Sequence, residues 1–302
     1  MPELPDISLY LHALAPRVVG HSLQRVRLVS PFLLRSVEPP LSAFEGRVIA
    51  TLERLGKRIV FGFDDEYFLV LHLMISGRLR WKPVAAKIPG RLGLASLDFD
   101  NGALIVTEAA TRKRASLYAM RGREALAAHD PGGLEVLDAS PEQFSGRLRS
   151  QRRTLKRALT DPRIFSGIGN AYSDEILHAA RLSPLQLTTN LDEAEIAALY
   201  ESVRTVLIGW TEKLKKESAD AFPEHVTAFR PDMAVHGRFG QQCPRCGSPV
   251  QRVAYADNEC NYCATCQTGG KLLADRTLSR LLGEDWPKTL EELEELKARG
   301  TR

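Results

Sequence analysis

CPRCGSPVQRVAYADNECNYCATC, residues 243–266, holds all five cysteines of a 302-residue chain. Cys243-x2-Cys246, then sixteen residues, then Cys263-x2-Cys266 is the spacing of two knuckles that close a tetrahedral four-thiolate zinc site. Cys260 leaves an alternative open, because Cys260-x2-Cys263 is a knuckle spacing too. No apolar run approaches the roughly 18 residues of a membrane helix, and the first residues lack the charged start and apolar middle of a secretion signal. The expectation is a cytoplasmic, non-membrane protein. In a reducing compartment, cysteines this close together read as a metal site rather than as disulfides.

Upstream of the ribbon the pattern changes twice. Ile7 to Leu14 suits a short helix, preceded by an extended lead-in from Met1 to Asp6, because Pro2 and Pro5 lack backbone donors. Apolar β-rich segments follow at Leu23 to Val29, Val48 to Phe63 and Tyr67 to Trp81, and Asp100-Asn101-Gly102 marks a hairpin between Leu94 and Thr107. These strands predict an antiparallel sandwich over the first 120 or so residues. After the Asp130-Pro131-Gly132-Gly133 break the spacing turns helical, at Pro141 to Ser150, Thr154 to Leu159, Asn170 to Arg181 and Asp192 to Lys216. A second, all-α domain is predicted there.

Composition sets the outer limits: 44% hydrophobic and 26% charged residues describe a folded chain long enough for two or more cores. The net charge is +4, but Gly283 to Arg302 carries four basic and six acidic residues, which leaves +6 on the rest. Basic residues cluster at Arg112, Lys113 and Arg114, and again at Arg147, Arg149, Arg152, Arg153, Lys156 and Arg157. One such run reads as a solvated helix face. Two runs together with a metal ribbon point to a polyanionic partner. In FSGIGNAY, residues 165–172, Gly167 and Gly169 permit a tight turn and Asn170 opens a helix, where free amides and the dipole favour an anion such as phosphate. A glycine turn before a helix is by itself as often a simple connection.

With those parts in place, the chain resembles the formamidopyrimidine-DNA glycosylase and endonuclease VIII family of base-excision repair enzymes. The shared motifs are MPELPD at the start, LGKR at Leu55 to Arg58, HLMISGRL at His72 to Leu79, GIGNAYSDEIL at Gly167 to Leu177, and HGRFGQQCPRCG leading into YCATCQ. The resemblance implies a catalytic antiparallel β-sandwich over 1–128, a helix-two-turn-helix DNA-binding domain over 129–234, a zinc ribbon hairpin over 235–275 and a helical tail over 276–302. It selects Cys243, Cys246, Cys263 and Cys266 as ligands of one structural zinc ion and leaves Cys260 as a bystander. It also implies a monomer that binds damaged double-stranded DNA.

The resemblance implies site residues as well. Trimming of Met1 would leave Pro2 with a terminal secondary amine, which in the family attacks C1′ of the damaged nucleoside, expels the base and becomes an iminium that activates the sugar for strand cleavage. Terminal amines titrate near about 8 against about 10.4 for lysine, so roughly two hundred times more is unprotonated at neutral pH. Glu3 moves a proton as the sugar opens. Lys57, in a Gly-Lys turn between strands, serves a phosphate and the elimination. His72, Arg112, Lys113 and Asn170 are DNA contacts, the phosphate-binding members of which position a duplex without reading its sequence. The expected activity is a DNA glycosylase with β-elimination lyase activity on oxidised or otherwise damaged bases. The second reading is a damaged-DNA or abasic-site binding protein of the same fold, weakened in catalysis.

Some positions depart from the family. The side chains that fill the void of the flipped base are commonly methionine, arginine and phenylalanine; the matching positions here are Ile75, Arg112 and Arg114. Asn258 stands where the family has an arginine five residues before the third ligand cysteine, and a neutral amide cannot replace that forked, permanently charged contact. His236 stands in place of the usual tyrosine. Weaker δ- than β-elimination is therefore expected. Beyond the family's motifs, the Leu-rich acidic helix from Leu290 is expected to pack on the protein's own surface.

Overall fold

The computed structural model describes residues 1–254, 259–274, 278–283 and 286–300; Asn258 and Asp285 lie outside them. Contacts divide the chain into two compact units, Met1–Gly132 with Ile208–Thr227, and Gly133–Leu207 with Ala228–Arg302.

The first unit begins with helix α1 (Leu4–Val18), three residues earlier than the sequence pattern predicts. The prolines explain the difference. An N–H at the first turn has no acceptor within the helix, so Pro5 gives up nothing there and its fixed φ suits the helix. Asp6 then turns back and its Oδ2 accepts the Glu3 N–H at 2.8 Å. Ile7, Tyr10, Leu14 and Val18, spaced on one face, are fully buried.

Two four-stranded antiparallel sheets follow. One orders β1 (Leu23–Leu28), β6 (Gly93–Phe99), β7 (Ala103–Glu108) and β5 (Gly77–Lys82); the other orders β2 (Ile49–Leu55), β3 (Arg58–Phe63), β4 (Tyr67–His72) and β8 (Ser116–Arg121). Ile59, Phe61 and Phe63 of β3 join the main core with Leu79, Leu97, Phe99 and Val106, while Val60 packs on the opposite face with Phe68, Val70, Met120 and Leu126 of helix α2 (Arg123–Ala127). Burial on both faces is why β3 reads as a continuous apolar run rather than an alternating one.

Each long apolar segment breaks into two strands. Val48 to Phe63 folds back at Gly56-Lys57, with Leu55 paired to Arg58. Tyr67 to Trp81 crosses from one sheet to the other through a corner at residues 73–76, where Met74 has a φ of 53°. A Cβ on Gly77 would lie 2.2 Å from the Leu73 carbonyl oxygen, so this corner needs glycine. The Asn-Gly hairpin forms between β6 and β7. A Cβ on Gly102 would lie 2.4 Å from the Trp81 ring, which stacks on Phe99.

The second unit carries α3 (Pro141–Arg149), α4 (Leu155–Thr160), α5 (Asn170–Ala180) and the N-terminal part of α6 (Glu193–Ser218). Ser140 caps α3 by accepting the Gln143 N–H, and Gln143 Oε1 accepts the Ser140 N–H in return. Phe144, Phe165 and Tyr200 stack in the core. The cysteine stretch forms an antiparallel hairpin of β9 (Val250–Ala254) and β10 (Glu259–Cys263), followed by the short α7 (Ala264–Thr268). Two further helices, α8 (Leu278–Leu282) and α9 (Leu290–Gly300), complete the described chain. The tail returns to the ribbon: the Leu272 N–H donates to the Lys288 carbonyl, and Leu290 packs beside Val253, Tyr262 and Ala264. Leu290 at the start of α9 packs there, while Leu296 further along is 37% exposed.

Candidate functional site

In the first unit, Pro2, Glu3 and Asp6 are buried where α1 begins. Burial lowers the pKa of the Met1 α-amine below its usual 8.0; Glu3 and Asp6 oppose that shift, and Arg78 and Lys57 add to it. Two carboxylates and two cations thus act on the start of the chain. Asp6 is 1% exposed, its Oδ1 has no hydrogen-bond partner, and burial raises its pKa to about 7. Lys57 sits in the β2–β3 turn beside Gly56, whose φ is 61°. His72 ends β4, and burial, followed by the charges of Arg58, Lys57 and the terminal amine, pushes its pKa down to about 4. At neutral pH His72 therefore presents an uncharged imidazole.

Two loops of the same unit are tied together by Glu108, at the end of β7. This carboxylate is 1% exposed; Oε2 accepts the Arg114 and Ala115 N–H groups at 2.9 and 3.1 Å, and Oε1 accepts the Ser76 hydroxyl at 3.2 Å. Ile75 projects from one loop at 55% exposure, and Arg112 and Arg114 are exposed on the other. Lys113 is half-buried, and its ammonium donates to the Glu108 carbonyl.

In the second unit, Asn170 opens α5 and its Nδ2 donates to the Glu259 carbonyl of β10 at 2.9 Å. The adjoining basic run is largely engaged within the protein. Lys156 is 7% exposed and donates to the Asn170 carbonyl, the Ser173 hydroxyl and Asp174 Oδ1 at 2.6, 2.8 and 2.6 Å. Arg153 pairs with Asp161 and Arg149 with Glu193. His236 is buried and donates from Nδ1 to Asp174 Oδ2 at 2.8 Å. Glu175 accepts the N–H groups of Ala234, Val235 and His236, and these amides offset burial, which raises its pKa.

Cys243, Cys246, Cys263 and Cys266 converge, with all four sulfurs within 4.8 Å of one another. Cys246 lies 3.4 Å from Cys263, and Cys243 lies 4.0 Å from Cys266. Zn–S bonds of about 2.3 Å in a tetrahedron give S···S edges of about 3.8 Å, so these residues fit the ion. Cys260 is excluded by strand geometry. It lies in β10 three residues before Cys263, so the two side chains point to opposite faces. Its buried thiol is pushed well above the usual thiol range by burial and then by Asp174.

Of the residues singled out from sequence, Pro2, Glu3, Lys57 and His72 share one neighbourhood, Arg112 and Lys113 share one loop, and the four cysteines form one cluster. Asp6, Arg78, Glu108 and His178 were not singled out. Only Asp6 had a local signal, an acid in the first turn of a helix.

Two antiparallel sheets, a helical unit and a four-cysteine hairpin in that chain order make an Fpg-like architecture. Residues 1–117 match the family model of the formamidopyrimidine-DNA glycosylase N-terminal domain, and residues 133–219 match that of its H2TH domain. A formamidopyrimidine-DNA glycosylase of Thermus thermophilus is 33% identical over 282 residues, covering 89% of this chain and 100% of the relative. An uncharacterized formamidopyrimidine-DNA glycosylase-like protein of Mycobacterium tuberculosis is 40% identical over 150 residues, 50% of this chain and 93% of that one. Among solved structures, the Lactococcus lactis Fpg in complex with DNA containing an abasic site superposes with a TM-score of 0.77 at 24% identity, covering 88% of this chain and 99% of that one. The chain belongs to the formamidopyrimidine-DNA glycosylase family of base-excision repair enzymes.

Proposed function

We propose that this protein is a bifunctional DNA glycosylase and abasic-site lyase that works through the secondary amine of Pro2 once Met1 is removed. The observation that carries the reading is the start of the chain, where Pro2, Glu3 and Asp6 are buried and the charges of Lys57 and Arg78 act on the chain terminus. A terminal amine titrates well below a lysine, which leaves more of it unprotonated at neutral pH to attack C1′. The C1′–N bond to the base breaks as the C1′–N bond to proline forms. Opening of the sugar ring gives an iminium, and loss of a C2′ proton then expels the 3′ phosphate by β-elimination. Glu3 carries the proton to and from the sugar oxygen, and Lys57 steadies the phosphate next to the lesion.

His72, Arg112, Lys113 and Asn170 hold the backbone of a damaged duplex, which the enzyme must unstack at a cost of a few kcal/mol. His72 serves as a neutral donor, and Lys113 exchanges its internal carbonyl for a phosphate. The four cysteines hold one structural zinc ion that fixes the hairpin, and the protein acts as a monomer.

Borohydride trapping on an abasic duplex tests this, because only an amine nucleophile leaves a reducible imine. The expected adduct maps by peptide mass spectrometry to Pro2. An adduct at Lys57, or none while the protein still binds the duplex, would refute it.

A further inference from the structure

Four thiolates around one divalent ion would leave two negative charges on a half-buried cluster, so groups that donate to sulfur matter for how firmly the ligands are held. Within the knuckles, the Cys266 N–H approaches Cys263 Sγ at 3.5 Å. A side-chain donor comes from far along the chain: His178, on the last turn of α5 and 4% exposed, places Nε2 at 3.2 Å from Cys243 Sγ. Two further bonds fix the same helix end to the knuckles. Arg245, between the first two ligands, donates to the His178 carbonyl at 2.9 Å. Gln267, next to the last ligand, donates to the Leu182 carbonyl at 2.9 Å while accepting the Cys263 N–H at 2.8 Å. The imidazole is therefore held from its own backbone side and has its ring nitrogen directed at one ligand.

We propose that His178 is a positioning residue of the metal centre, donating Nε2–H to the Cys243 thiolate so that this ligand is oriented and its charge partly neutralised. This rests on the reading that the four cysteines hold a metal ion. Either the neutral Nε2–H tautomer or the charged ring can make the bond, so the role does not depend on titration. The consequence is kinetic retention. A thiolate that keeps a hydrogen bond on its free lone pair leaves the metal more slowly, and removing such an outer partner typically weakens a site by about 10–100-fold.

The test uses the full chain loaded with zinc, one ion per protein by elemental analysis, and follows metal transfer to an excess of a chromogenic chelator. His178→Phe keeps the volume and removes the donor; His178→Gln retains an N–H. The expected result is transfer roughly tenfold or more faster for H178F, with H178Q within about threefold of the parent. Volume filling alone would leave H178F unchanged, and that result would overturn the inference, as would H178Q releasing metal as fast as H178F. Should H178F fail to fold by circular dichroism, His178→Leu replaces it with the same expectation. A parent chain that takes up no zinc would overturn the metal reading itself, and this inference with it.

Discussion

Asp6→Asn gives a signed and measurable test of the buried amino-terminal cluster. The Asp6 carboxyl is 1% exposed, its Oδ2 accepts one backbone N–H and its Oδ1 accepts none, so burial dominates and raises its pKa from 3.8 to about 7. A raised folded-state pKa means that the folded protein binds more protons than the unfolded chain between those two values. Its contribution is therefore greatest below pH 3.8 and is lost as pH rises through 7. A tenfold change in proton affinity is worth about 1.4 kcal/mol, so this one group should reduce stability by about 2–3 kcal/mol between pH 5 and pH 8. Asparagine does not titrate and should abolish that component. The assay is urea unfolding at both pH values, followed by tryptophan fluorescence in a Trp286→Phe background, which leaves Trp81 and Trp210 as reporters in the first unit. Groups that do not interact with Asp6 titrate alike in both proteins, so the difference between them reports Asp6 together with the charges it acts on, Glu3 and the chain terminus. If the stability gap between D6N and its parent is the same at pH 5 and pH 8, the carboxyl does not titrate in this range and the reasoning fails.

Glu108→Ala removes the acceptor of two loop amides and should cost about 1–3 kcal/mol, with faster tryptic cleavage at Arg112 to Arg114; Glu108→Gln, which keeps an acceptor oxygen, should lose less. Lys156→Ala leaves the fully buried Asp174 without its ammonium partner and should destabilise the second unit by about 3–5 kcal/mol, read as lost amide protection in α4 and α5. On an incised abasic duplex, a gel resolving the 3′ ends should show mainly β-elimination product, because Asn258 replaces a charged fork with an amide. A dominant 3′-phosphate would contradict that, and Asn258→Arg should raise the δ-product. Stripping the metal with a chelator should increase amide exchange in β9, β10 and the last turn of α5, whereas unchanged exchange would mean that the hairpin stands without it.

What the sequence made legible was local. A knuckle is a four-residue object, and the Cys243-x2-Cys246 and Cys263-x2-Cys266 spacings therefore survive into three dimensions unchanged. The Asn101-Gly102 turn and the helices from Pro141 onward are local in the same sense. Strand alternation would have removed Cys260 without the family, once Glu259 to Cys263 was taken as a strand. The amino terminus was misjudged because proline was weighed as a helix breaker, when in the first turn it is a helix starter. The basic run from Arg147 to Arg157 looked like a surface for a polyanion, but Lys156 meets Asp174, eighteen residues on and in the next helix. Glu108 and His178 carried no sequence signal, because their meaning lies in partners on other elements.

Helix α5 shows why so much polar chemistry is buried in the second unit. Asn170, Asp174, Glu175 and His178 recur at helical spacing, so they share one side of the helix. Each meets a different point of the metal hairpin or its approach: the Glu259 carbonyl, the His236 ring, the amides of residues 234–236, and the Cys243 sulfur. An apolar face of the same area would bind the hairpin at least as firmly, since burying charge is costly. It would also tolerate sliding by a fraction of a turn. Six directional bonds, one each made by Asn170, Asp174 and His178 and three by Glu175, do not, and the register they impose sets where the start of α5 points. The cysteine cluster, at the ends of the hairpin, and the first residue of α5 are then two ends of one hydrogen-bonded frame.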